Sequence, residues 1–148
     1  MRINEKAPVV QRREIKIQAS PEKVWEVLTN IEKWPDWNNK ISKSSVESRI
    51  KKGTVFNWKT GGSMIKSKIH TFQPYHLFGW TGKAFGASAI HNWNLYPTEE
   101  FTIVSVEESM EGWVIRLFKT QMNKKLGNDM GFWLKRLKLR VEECNLLN

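Results

Sequence analysis

The segment from Trp113 to Cys144 constrains the fold of this chain more than any other part of its sequence. At about 100° per residue, its apolar side chains fall within roughly one third of a helical wheel. These side chains are Ile115, Met122, Leu126, Met130, Trp133, Leu134, Leu137, Val141 and Cys144. The pattern predicts one long amphipathic helix. No other segment is long enough to be its partner helix, so we expect a curved sheet to cover the apolar stripe.

Two glycines, Gly127 and Gly131, lie one turn apart beside this stripe. Each costs about 1 kcal/mol relative to alanine in a helix interior. Close packing of the helix backbone explains them, and so does space left for a ligand between helix and sheet. The sequence is compatible with both interpretations.

The rest of the chain is typical of an antiparallel sheet preceded by short helices. After a loose lead-in over residues 1–8, alternating apolar residues predict a strand over 9–19. Ser20 and Pro21 then suit the N-cap and first position of a helix that ends near Asn30, and Trp34–Asn38 predicts a second short helix or turn. Six further strands are predicted over residues 41–48, 54–60, 63–73, 77–83, 87–97 and 101–110. The short connections favour antiparallel neighbours, and the absence of a linker favours a single α+β domain over residues 1–148.

The chain carries 24 Lys and Arg against 15 acidic residues, a net charge of +9. Such a balance favours contact with anionic surfaces without identifying one. Because the charges are spread along the chain, we expect no sequence-specific nucleic-acid binding and at most peripheral contact with an anionic membrane or acidic protein. No signal-peptide pattern or apolar run of about 18 residues is present, so a cytoplasmic protein is expected. We also expect a monomer or a weak homodimer.

Four motifs together resemble the START-like, SRPBCC superfamily, and within it the polyketide cyclase/dehydrase and lipid-transport group. They are the run from Ile17 to Asn38, Gly53–Trp58, Leu77–Trp80 after Pro74, and His91–Trp93 followed by Glu107, Glu108 and Gly112. The resemblance covers nearly the whole chain. It implies a helix-grip fold, in which a seven-stranded antiparallel sheet wraps around a long C-terminal helix and encloses a hydrophobic cavity.

Few residues suit catalysis or metal binding. No Asp or Glu lies between Glu47 and Glu99, and we expect the pair Glu107–Glu108 to be solvated at a strand end, so paired-carboxylate catalysis is not predicted. His70 is expected to be exposed, and His76 lies in a predicted turn. The histidine spacing matches no metal motif and the single cysteine, Cys144, excludes an internal disulfide; we expect neither metal nor cofactor.

His91 shares a strand face with Trp93. It can therefore point into the cavity as a hydrogen-bonding group or general base, or be a satisfied histidine at a sheet edge or on the outer face of the sheet. The predicted ligand-binding residues share the inward faces of the strands and the helix stripe: Phe56, Trp58, Ile69, Trp80, His91, Trp93, Met122, Leu126 and Met130. The same aromatic residues would also suit a plain hydrophobic core.

Three functions remain open. The first is binding of a small hydrophobic molecule, such as a lipid, isoprenoid or aromatic polyketide-like compound, in the cavity implied by the resemblance. The second is a cyclase or dehydratase that uses His91. The third is an interaction module whose basic surface docks on an acidic partner.

Overall fold

The computed structural model describes residues 1–146 of the chain, with side chains as far as Cys144. It contains seven strands: β1 (Val9–Ile17), β2 (Ile41–Val46), β3 (Val55–Thr60), β4 (Ser63–Gln73), β5 (Leu77–Ala84), β6 (Ala87–Pro97) and β7 (Thr102–Glu111). The helices are α1 (Pro21–Thr29), α2 (Trp34–Trp37), α3 (Trp113–Leu117) and α4 (Lys119–Leu146), with a 3₁₀ turn over Ile31–Lys33. The ends of each predicted strand lie within two residues of the ends of the corresponding observed strand.

The strands form one antiparallel sheet in the order β1-β7-β6-β5-β4-β3-β2. The first and last strands therefore pair, from Val9 opposite Met110 to Ile17 opposite Thr102. The predicted helix-grip fold is confirmed: α4 lies across one face of the sheet, which we call the inner face, and buries the middle of its apolar stripe, including Leu134 and Leu137. The opposite face is called the outer face.

The short helices α1 and α2 connect the two edge strands and close one end of the inner face. Ser20 caps α1 by accepting a hydrogen bond from the backbone N–H of Lys23, and Pro21 occupies its first turn. α2 directs Trp34 into the core, where the indole N–H donates to the carbonyl oxygen of Leu28 at 2.9 Å. The centroid of the Trp34 ring lies 5.6 Å from the ring centroids of both Phe56 and Trp80. These aromatic contacts fill the end of the sheet beneath α1 and α2.

The prediction of one uninterrupted helix from Trp113 was wrong. The backbone at Phe118 (φ −112°, ψ 35°) separates α3 from α4. The Val114 N–H donates to the carbonyl oxygen of Gly86 at 3.3 Å, which holds α3 on the β5–β6 turn while α4 crosses the sheet.

The prediction of a loose lead-in was also wrong, because residues 1–8 pack across the outer face. Ile3 is buried, and the Asn4 N–H donates to the Ser109 hydroxyl at 3.0 Å. The side-chain amide of Asn92 donates to the carbonyl oxygen of Met1 at 3.0 Å. This segment therefore covers part of the sheet face that α4 leaves open.

The prediction that His70 is exposed was wrong as well. The register of β4 against β5 shifts between Ile69 and Thr71, so His70 sits at a bulge. A Cβ at Gly79 would lie 2.6 Å from the His70 ring, so the missing side chain makes room for the imidazole. Burial first, and then the nearby N-terminal ammonium, His91 and Lys52, lower the pKa of His70 from 6.5 to about 4.

We expect His70 to make folding pH-dependent. Between pH 6.5 and about 4 the unfolded chain binds this proton and the folded chain does not, so the free energy of unfolding falls as the pH falls through this range. The slope is at most about 1.4 kcal/mol per pH unit and smaller in practice, because the ring is partly exposed. Urea denaturation at several pH values between 4 and 7 gives the free energy of unfolding as a function of pH. The slope of this free energy against pH should be smaller for His70→Gln than for the control His76→Gln, which lies in an exposed turn. Equal slopes would contradict this assignment.

The glycines of α4 offer a test of helix packing. A Cβ at Gly131 would meet nothing within 4 Å, and one at Gly127 would meet only the side chains of Arg13 and Gln11, so neither glycine is needed for close backbone packing. Gly131→Ala should therefore raise the free energy of unfolding by about 0.5–1 kcal/mol. Gly112 differs, because it has φ +123° and a Cβ there would overlap the carbonyl oxygen of Gly86.

Gly112→Ala should lower the free energy of unfolding by roughly 1–3 kcal/mol. Both variants can be compared with the parent by urea denaturation at one pH. A destabilised Gly131→Ala protein would mean that α4 lies closer to a neighbouring element than described.

Candidate functional site

A cavity of about 360 Å³, the main cavity, lies between the inner face, α3 and α4. Its deep end is formed by buried side chains such as His91, Ile115 and Trp133. Its other end is bordered by exposed residues: Gly61 and Ser63 of the β3–β4 turn, and Phe85 of the β5–β6 turn. The cavity therefore opens at the end of the sheet away from α1 and α2.

The predicted site residues divide into three groups. Five line the main cavity: Trp58, His91, Met122, Leu126 and Met130. Trp80 instead borders an adjoining space of about 80 Å³. Phe56, Ile69 and Trp93 line neither space and are fully buried in the core. Gly127 and Gly131 do not line the main cavity either, so they make no room for a ligand there.

Several residues of the cavity wall were not predicted from the sequence, and two of them carry polar groups; Trp133 is the first. Its ring lines the main cavity and lies 5.4 Å from the Trp58 ring and 5.9 Å from the His91 ring, centroid to centroid. The signal was present, because Trp133 belongs to the helix stripe three residues after Met130. Its indole nitrogen is buried and has no hydrogen-bond partner among the described residues.

Glu108 is the second, and the expectation that it is solvated was wrong. It lies directly opposite His91 on the neighbouring strand and contacts the His91 Nδ1 atom through a carboxylate oxygen. The two side chains are only 13% and 5% exposed. Alternation along β7 could have revealed this, because Glu108 shares its face with the buried residues Val104 and Val106.

The Glu108 carboxylate fixes how His91 can act. An ionised carboxylate only accepts hydrogen bonds, so the Nδ1 atom of His91 carries a proton and, in the neutral ring, Nε2 is the acceptor. That Nε2 atom is buried without a partner among the described residues. The imidazole also stacks on Trp80, with ring centroids 4.4 Å apart and planes inclined by 15°. The contact with Glu108 and the stacking on Trp80 therefore hold the imidazole in one orientation within a largely apolar wall.

Charged residues border the cavity beside α4. The Lys40 ammonium lies 2.8 Å from a carboxylate oxygen of Asp129, which also binds Lys125. Burial alone would raise the pKa of Asp129, but hydrogen bonds and charge from Lys125 and Lys40 outweigh it and lower that pKa. With two lysines and one carboxylate, this border is net positive.

Within residues 1–146, no group of three or more His, Cys, Asp or Glu side chains is placed to hold a metal ion. In the same part of the chain, no helix is both long enough and apolar enough to cross a membrane.

Comparison with known proteins agrees with this architecture. The family model described as polyketide cyclase / dehydrase and lipid transport matches residues 9–142. The chain belongs to this family. No protein with curated annotation matches the chain in sequence.

Several solved structures share the fold at low sequence identity. The hypothetical protein jhp0584 from Helicobacter pylori superposes with a TM-score of 0.83 at 16% identity, covering 93% of this chain and 90% of the other. A START superfamily protein from Mycobacterium smegmatis superposes with a TM-score of 0.80 at 15% identity, covering 91% of this chain and 98% of the other. The Zhui aromatase/cyclase from Streptomyces sp. R1128 superposes with a TM-score of 0.77 at 13% identity, covering 90% of this chain and 93% of the other.

The His91–Glu108 contact can be tested by a double-mutant cycle. His91→Phe leaves a buried carboxylate without its partner and Glu108→Leu leaves a buried imidazole without one, so each should lower the free energy of unfolding by roughly 1–3 kcal/mol. The free energy of unfolding of the double variant should fall by clearly less than the sum of the two single losses, because both polar groups are then absent.

Glu107→Leu is the matched control, because Glu107 lies one residue away on the outer face and pairs with Arg12. It should show no coupling to His91→Phe. Additive effects of His91→Phe and Glu108→Leu would contradict the contact.

Proposed function

We propose that this protein binds a small hydrophobic molecule, of the lipid, isoprenoid or aromatic polyketide-like class, in the main cavity. The observation that carries the proposal is a partly open space of about 360 Å³ lined chiefly by apolar side chains. Ligand pockets commonly measure roughly 300–1,000 Å³. A volume at the lower end of that range favours a compact ring system or a single chain over a lipid with two long chains.

Apolar burial alone gives modest affinity in such a cavity. Burying roughly 300 Å² of apolar surface at about 25 cal/mol per Å² contributes about 7.5 kcal/mol. The loss of translational and rotational freedom opposes this with about 4 kcal/mol or more. Tight binding therefore needs polar contacts as well.

Two buried nitrogen atoms at the deep end suit such contacts. His91 Nε2 accepts a hydrogen bond in the neutral ring and the Trp133 indole N–H donates one, and neither has a partner among the described residues. A hydroxyl group of a ligand that reaches either atom would donate to the first or accept from the second. We therefore favour an apolar ligand that carries a hydroxyl or carbonyl group over a pure hydrocarbon.

The His91–Glu108 contact also supports a second candidate function, a cyclase or dehydratase acting on a hydrophobic substrate in the same cavity. The carboxylate orients the ring, so Nε2 could take a proton from a substrate held against Trp133. In that case His91 would be the catalytic base and Glu108 its positioning residue.

Native mass spectrometry of the protein purified without added ligand tests the proposal. We expect a stoichiometric hydrophobic passenger that organic extraction can identify. Met122→Trp places a larger side chain in the cavity wall and should lower passenger occupancy at least tenfold, whereas Leu139→Trp on the exposed side of α4 should not.

An empty protein that also fails to enhance the fluorescence of a hydrophobic dye would overturn the proposal. Equal occupancy in the parent and in the folded Met122→Trp variant would place the passenger elsewhere. Chemical conversion of the passenger during incubation, lost in His91→Phe, would favour the enzyme; release of unchanged passenger would favour the binding protein.

A further inference from the structure

The end of the molecule at which the main cavity opens carries a cluster of exposed apolar side chains. We call this cluster the apolar lip; it consists of Phe85, Trp113, Leu117 and Phe118, which are 85%, 58%, 66% and 46% exposed. Trp113 and Leu117 are four residues apart on α3 and therefore share one side of that helix. Scattered exposed apolar residues are ordinary, but four together at a cavity opening are not.

The apolar lip is held in place by the backbone. The rings of Phe85 and Trp113 meet edge to face, with centroids 5.6 Å apart. Beneath them, Val114 donates to the Gly86 carbonyl oxygen, and Gly112 has the positive φ that brings α3 against the β5–β6 turn. Phe85 also lines the main cavity, as does Val114, so the lip and the cavity opening share residues.

Basic side chains surround the apolar lip. Lys83, Arg116, Lys119 and Lys124 are exposed, and none forms an ion pair within the part of the chain that the structure describes. Lys83 also lies directly opposite Lys66 on β4, a like-charge pair that an anionic surface would relieve.

Acidic residues are scarce in the same region. No Asp or Glu occurs between Glu47 and Glu99 or between Glu111 and Asp129. The exposed acid next to the lip is Glu111, which accepts a hydrogen bond from the Asn4 side chain, and Asp129 is neutralised by its two lysines. The charge around the lip is therefore strongly positive.

We propose that the apolar lip docks this protein on membranes that contain anionic phospholipids. The aromatic and leucine side chains enter the boundary between headgroups and acyl chains, and the four basic residues lie against lipid phosphates and carboxylates. A membrane fits better than an acidic protein, because a fluid bilayer accepts a protruding lip of any shape, whereas a protein would need a matching pocket. Charge attraction to an acidic protein would also give no reason to expose Phe85.

Docking brings the opening of the main cavity to the membrane surface. A hydrophobic molecule could then pass between bilayer and cavity without crossing water. This consequence rests on the proposed function, but docking itself does not.

Vesicle co-sedimentation tests the proposal with the full chain. The parent protein should bind vesicles of phosphatidylcholine with phosphatidylserine, bind pure phosphatidylcholine far less, and be released by high salt. Phe85→Ser with Trp113→Ser should lower binding more than tenfold. Tyr96→Ser is the matched control, since Tyr96 is an exposed aromatic residue at the other end of β6, and it should bind as the parent does.

The charge contribution is tested separately. Arg116→Gln and Lys119→Gln should each weaken binding to the anionic vesicles about fivefold, the effect of one basic residue near such a surface. Arg140→Gln is the control on α4; at 22 residues beyond Phe118, it lies about 33 Å along the helix axis. All substituted positions are exposed, and circular dichroism checks that each variant is folded.

Unchanged vesicle binding in the folded Phe85/Trp113 double variant would overturn the proposal. So would a dimer, measured by light scattering, that the same substitutions dissociate, because the lip would then be a contact between two copies. Salt-sensitive binding to an acidic polypeptide but not to vesicles would overturn it too. A passenger in native mass spectrometry without vesicle binding would refute docking alone, and vesicle binding by an empty protein would refute only the proposed ligand.

Discussion

The packing of Trp133 against the inner face is the contact on which the rest of the structure depends. Its ring lies between 5.1 and 6.2 Å, centroid to centroid, from five other rings: Trp34, Trp58, Trp80, His91 and Trp93. These rings belong to α2, β3, β5 and β6, so one side chain of α4 joins four elements. Each such pair adds about 0.5–1.5 kcal/mol beyond area burial. Sliding α4 along the sheet would break several of them at once, which fixes its position.

The same packing explains why the inner face is solid at one end and hollow at the other. Beneath α1 and α2, the rings of Trp34, Phe56 and Trp80 pack against one another and fill the inner face. At the opposite end the ring of Phe85 borders the cavity but is mostly exposed and does not fill it, and the strands carry small residues such as Ala84 and Ala87. The cavity therefore follows from where the large side chains lie along the strands, and Trp133 forms the boundary between the two regions.

Periodicity was enough to predict the strands and the apolar stripe of the long helix, because burial of one face imposes that period, whereas the helix-grip arrangement was implied by the family resemblance. Periodicity could not predict the break at Phe118, since Ile115 and Met122 lie seven residues apart and stay in phase across it. The break depends on the bond from Val114 to Gly86, which is a tertiary contact. Periodicity also could not predict which residues on the inward side of a strand line the cavity and which are packed in the core. Phe56 and Trp58 share a face, yet only Trp58 reaches the cavity.

Glu108 illustrates how a composition argument can hide a site. Taking Glu107 and Glu108 as one solvated unit ignored that successive residues of a strand point to opposite faces. Glu107 forms an ion pair with Arg12 on the outer face, whereas Glu108 is largely buried, and such a carboxylate is unfavourable without a partner, which His91 provides. This contact leaves the His91 Nε2 atom buried without a partner among the described residues, which is the reason for proposing a ligand with a hydroxyl or carbonyl group rather than a pure hydrocarbon.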